Sequence, residues 1–131
     1  MEEHIRHAEY NYAFYEMLCQ KYPDDYFDWK LVALFYTAFH YLKALARHKK
    51  INIGDRHAEI NRNLMRGGAM PVSDTAFNNY MDLFHMSQDA RYTSIPDLAL
   101  FRKLREKDHR HALKCFSDFR KYIISRGVKL D

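Results

Sequence analysis

Five residues with the chemistry to handle a phosphate crowd into one stretch of the chain: Arg102, Arg105, His109, Arg110 and His111. Cleaving RNA without a metal requires a base to activate the 2′-hydroxyl, an acid for the leaving oxygen, and a cation to stabilise the charge that develops on the phosphate. An imidazole serves as acid or base near neutral pH, and a guanidinium is a permanent cation. Arg102 and His109 lie two helical turns apart and Arg105 and His109 one turn apart, so a helix here sets the three on one face. His111 falls in step with Leu104 and Cys115 on the side expected to be buried, which marks it as the more structural of the two histidines. The catalytic candidates are therefore Arg102, Arg105, His109 and His111. Arg110 and Lys114 of the same segment, with Arg91 ahead of it, are the binding candidates.

Three other polar features interrupt apolar stripes. His40 sits inside a nearly continuous apolar run, where a hydrogen-bonded core histidine is the expectation and a proton-transfer group the alternative. Arg91 extends the stripe Tyr80, Phe84, Ser87, so its guanidinium must be paired, with Asp89 or Asp97 nearest in sequence, or face a cleft. His4 and His7 are three apart beside Glu3, a spacing that suits a metal, but no second ligand pair of comparable spacing accompanies them, and no metal site is expected. No phosphate-cradling glycine loop, nucleophile elbow or paired cysteine spacing occurs, so no cofactor is expected and Cys19 and Cys115 read as free buried thiols.

The elements that must position these groups are helices. Only four Gly and three Pro punctuate 131 residues, and apolar residues recur at three- and four-residue steps. A first helix over about Glu2 to Lys21 carries Ile5, Ala8, Tyr12, Tyr15 and Leu18 on one side and stops before Pro23; Asp24 or Asp25 is placed to cap the next. That next helix, with Trp29, Leu31, Val32, Leu34, Phe35, Phe39 and Leu42, has hardly any polar face and needs neighbours on most sides. A short helix around His57 to Met65 follows. Ser73 begins another, with Phe77, Tyr80, Met81 and Phe84 as its stripe, in a unit ended by Pro96. The last runs from a cap at Asp97 to Ser125, striped by Phe101, Leu104, Ala112, Cys115, Phe116, Phe119 and Ile123, with Gly127 beyond it. One all-α domain over residues 1–131 accounts for this plan.

Hydrophobic residues at 47% leave ample material for a core, which excludes a disordered chain. The uncharged run from Leu31 to Leu42 is far below the roughly 20 residues of a spanning helix, and the start Met1-Glu2-Glu3-His4 lacks the pattern of a signal peptide. A cytoplasmic protein without membrane contact is the expectation. Net charge is +4, unevenly spread: from Leu98 onward ten Lys or Arg face four Asp or Glu, whereas the preceding residues carry eleven against thirteen. The basic tail reads either as an electrostatic footprint for phosphates or an acidic partner, or as a solvated helix face.

The stretch Trp29-Lys-Leu-Val-Ala-Leu-Phe-Tyr-Thr-Ala-Phe-His40, then His57 followed by Arg62, then Ser87-Gln-Asp-Ala-Arg-Tyr92, resembles the HEPN superfamily of small helical bundles, from about Asp28 to the end of the last helix. The resemblance implies an up-and-down four-helix bundle with an additional short helix, commonly a homodimer, in which His40, His57 and Arg62 are structural polar groups. Many HEPN proteins are metal-independent endoribonucleases of toxin–antitoxin and defence systems, with an Arg and a His separated by four to six residues. Here five lie between Arg105 and His111 and six between Arg102 and His109, while Lys103 and Glu106 stand where a different polar residue often follows the signature's Arg. HEPN domains without a working motif also occur, and for these the resemblance implies RNA or nucleotide binding, or simple scaffolding, in place of cleavage, with an antitoxin-like protein as the other class of partner. The expected function is such a non-catalytic module, acting through the basic C-terminal helix; the alternative is cleavage by an Arg/His pair on that helix.

Overall fold

The computed structural model describes residues 1–130 and contains five helices: α1 (Glu2–Lys21), α2 (Phe27–His48), α3 (His57–Asn63), α4 (Asp74–Tyr92) and α5 (Leu98–Ser125). The apolar α2 is the hub. It packs against α1, α4 and α5, and α4 packs against α5, so that 13 of the 22 residues of α2 are buried. Phe27 meets His109, Tyr41 meets Phe116, and His48 lies beside Gly127, a rising order that makes α2 and α5 parallel. Tyr12 and Tyr15 meet Phe116 and His109 in the reverse order, and Tyr80 and Asp82 meet Phe119 and His111 likewise. The four long helices therefore alternate in direction, an up-and-down bundle with α3 as the short addition. Among the described residues no helix is long and apolar enough to cross a membrane.

Local chemistry explains the boundaries. Ser73 accepts a hydrogen bond from the Ala76 amide at 3.1 Å and Asp97 one from the Leu100 amide at 3.1 Å, as their N-cap positions predict. Gly127 adopts φ 109° just past α5, the left-handed conformation that closes a helix and that a Cβ makes costly. The start of α2 departs from expectation. Neither Asp24 nor Asp25 caps it; Tyr26 is the N-cap, itself left-handed at φ 56°, and the Asp25 carboxylate accepts from the Tyr26 amide at 2.8 Å. Trp29, read from the sequence as core, is 51% exposed, on the less covered face of α2 that it shares with Val32, Tyr36 and Lys43, while Lys30 is buried. The Lys30 ammonium donates to the Tyr22 carbonyl at 2.6 Å and lies 4.2 Å from the Phe27 ring centre, so a cation closes the negative end of α1.

Candidate functional site

The phase of α5 decides which of its polar groups face solvent. Its buried side runs Arg105, His109, Ala112, Phe116, Phe119, Ile123, a strict alternation of four- and three-residue steps. Arg105, 5% exposed, donates to the Asp108 carboxylate at 2.8 Å and lies over the Phe101 ring. His109 is closed in by Phe27 and by Tyr15, whose hydroxyl lies 2.8 Å from Nε2. Burial, reinforced by the nearby Lys30 charge, pushes its pKa down to about 4, so the ring is neutral near pH 7. Arg102 points elsewhere, to an exposed ion pair with Asp25 at 3.1 Å.

His111, expected on the buried side, is the exposed histidine: its side chain is 57% accessible. The core of α5 is centred on Ala112, Phe119 and Ile123, which leaves position 111 on the rim and draws 109 inside. The His111 Nε2 lies 3.0 Å from the Asp82 carboxylate on α4 and 3.4 Å from the Cys115 thiol, and the three ligand-capable atoms are within 4.8 Å of one another. Burial, then Asp82 and Asp118, push the Cys115 thiol up to about 11. The four catalytic candidates thus do not converge: Arg102 and Arg105 line one cleft of about 200 Å³ with Asp25 and Phe101, whereas neither His109 nor His111 lines it.

Opposite the core lies a second regular pattern. Lys103, Lys107, Arg110, Lys114 and Lys121 follow one another at steps of four, three, four and seven residues, all exposed, with Ser117 filling the missing turn. The ladder is about 27 Å long at 1.5 Å per residue. Arg110 makes a 3.5 Å contact with Glu106 between two exposed side chains, an interaction worth little in water. The four lysines form no ion pair among the described residues. Of the sequence candidates for binding, Arg110 and Lys114 therefore fall on one face. Arg91 does not join them: it donates to the Tyr36 hydroxyl at 3.1 Å and stacks over Tyr36 and Tyr92, an aromatic pairing in place of the carboxylates nearest in sequence.

His40 lies half-buried on the α1–α2 seam, its Nδ1 3.4 Å from His4 Nδ1 and its ring stacked on His7 at 5.0 Å; burial first, then the neighbouring His7, His4 and Lys43 charges, push its pKa down to about 4. His57 packs among Phe35, Phe39 and Phe84 with its Nδ1 buried and unpartnered, whereas Arg62 is exposed. His4, Lys43, Arg47 and Lys50 line an open groove of about 680 Å³, and Phe14, Leu18, Tyr22, Tyr26 and Trp29 line a shallow apolar one of about 340 Å³. Sequence reasoning missed the apolar groove because it assigned Trp29 to the core. It also missed the Asp82–His111–Cys115 cluster, although the four-residue step from His111 to Cys115 was visible. No family model, curated protein or solved structure matches this chain.

Proposed function

We propose that this protein is a non-catalytic, HEPN-like helical module that binds the phosphate backbone of RNA along the exposed ladder of α5. The observation that carries the reading is the register of Lys103, Lys107, Arg110, Lys114 and Lys121 on the side of α5 that faces away from the core. An extended row of exposed cations suits a strand of phosphates better than a single nucleotide. The resemblance of the Trp29–His40 and Ser87–Tyr92 segments to HEPN bundles supports the same class of partner. Cleavage draws less support, because Arg105 and His109 are each occupied inside the core and Arg102 and His111 point to different neighbours.

The ladder carries no aromatic side chain to stack on a base, so binding is expected to be sequence-tolerant and dominated by charge. Fluorescence anisotropy with a labelled single-stranded RNA across a salt series tests it. Five contacts give a slope of log affinity against log salt near −3.5, at about −0.7 per phosphate on a single strand. Lys107→Glu with Lys114→Glu should weaken binding to every sequence and flatten that slope. Undiminished binding by the double variant, or RNA cleavage that persists in chelator and disappears in His111→Ala, would replace this reading with another site or with the nuclease.

A further inference from the structure

Asp82 of α4 and His111 and Cys115 of α5 converge from two helices onto one point. Their ligand atoms are separated by 3.0 Å (His111 Nε2 to Asp82 Oδ2), 3.4 Å (His111 Nε2 to Cys115 Sγ) and 4.0 Å (Cys115 Sγ to Asp82 Oδ2). In a tetrahedral zinc centre, with bonds of about 2.0–2.3 Å, neighbouring ligand atoms stand roughly 3.3–3.8 Å apart. The observed edges bracket that range, so shifts of a few tenths of an ångström close a site around an ion.

The arrangement discriminates among chemistries. In a nucleophilic triad the histidine uses one ring nitrogen for the thiol and the other for the carboxylate. Here Asp82 and Cys115 both face Nε2, which suits a shared centre and not a relay. The donor set has one thiolate-forming sulfur, one imidazole and one carboxylate, which selects zinc-class ions over the all-oxygen preference of magnesium and calcium. The depth profile supplies an entry path: Cys115 is 2% exposed and forms the floor, while the Asp82 and His111 side chains at the rim are 49% and 57% accessible. Asp118, one turn beyond Cys115, adds a second carboxylate charge acting on the thiol.

We propose that Asp82, His111 and Cys115 form a zinc-class metal site that clamps α4 to α5, with a fourth coordination position open to water. Binding replaces the thiol proton, which leaves to solvent, by the metal–sulfur bond. The open position faces outward between the rim side chains, the arrangement of three protein ligands and one exchangeable ligand that catalytic zinc uses.

The test is titration of the full chain, stripped by chelator, with Co2+ as spectroscopic probe and Zn2+ as competitor. One equivalent of Co2+ should develop a sulfur-to-cobalt charge-transfer band with tetrahedral visible bands, and Zn2+ should displace it and raise the thermal midpoint. Asp82→Asn and His111→Ala alter exposed side chains and keep the fold. Each should weaken binding by at least about 100-fold, since even outer-shell partners of a metal cost about 10–100-fold. Cys115→Ser should erase the charge-transfer band. A band absent in the wild type, retained in His111→Ala or Asp82→Asn, or surviving in Cys115→Ser would overturn the site. Cobalt held at the His4–His7–His40 stack is recognised by lacking the sulfur band and surviving His111→Ala.

Discussion

His109 and His111 stand two residues apart on the same helix and occupy opposite chemical worlds. The first is sealed between Tyr15 and Phe27 with one hydroxyl for a partner and a pKa driven down to about 4; the second stands in water beside a carboxylate and a thiol. A displacement of about 200° around the helix axis separates the two environments. Helical phase therefore assigns chemistry more strongly than residue type does. Composition made this stretch look like an Arg/His catalytic cluster; the bundle divides it into the core pair Arg105 and His109, Arg110 on the surface ladder, His111 at the rim, and Arg102 in an ion pair with Asp25.

The widest gap between the two histidines should appear on truncation. His109→Ala removes a packed ring and strands the Tyr15 hydroxyl, an expected loss of about 2–4 kcal/mol in urea unfolding, whereas metal-free His111→Ala should stay within about 0.5 kcal/mol of wild type. Equal losses would mean that both rings serve the core. Acid should separate them next. The folded pKa of His109 lies below its unfolded value of 6.5, so the unfolded chain takes up the proton first; the stability tied to the neutral ring is complete above pH 6.5 and is lost as pH falls toward about 4. That drop converts to roughly 3 kcal/mol for His109, and His40, also held down to about 4, acts in the same direction. Urea midpoints measured from pH 7 to 4 should decline, and His109→Leu should decline less steeply; parallel curves would place the titration elsewhere. The smallest effect isolates one hydrogen bond. Tyr15→Phe leaves the His109 Nε2 without its partner and should cost about 1–3 kcal/mol, with an increase in the His109 pKa or an unchanged stability arguing that the ring is hydrated.

What could be read without coordinates was local. Pro23, Ser73, Asp97 and Gly127 act on backbone within a turn of themselves, and helix ends fell near them. The burial of α2 followed from its lack of a polar face. Illegible were the features set by distant partners. Lys30 is buried because the carbonyl end of α1 lies over it, and Trp29 is exposed because it shares a helix face with Val32, Tyr36, His40 and Lys43, the less covered side of α2. Asp82 reaches His111 across 29 residues of chain, a proximity that no spacing rule contains. The phase of α5 was an intermediate case. The steps from Arg105 through His109 and Ala112 to Phe116 and Phe119 were present in the sequence, but polar side chains at the first two positions disguised them as a surface.

Lys30 also carries a consequence for how the molecule opens. Its ammonium has the Tyr22 and Pro23 carbonyls and the Phe27 ring as neighbours and is 1% exposed. An amine-reactive reagent meets this nitrogen only after the turn between α1 and α2 has loosened, and once acylated it has lost the charge that returned it to the carbonyls. Acylation of this single buried amine would thus record the first opening of the α1–α2 hairpin and prevent the original closure from being restored.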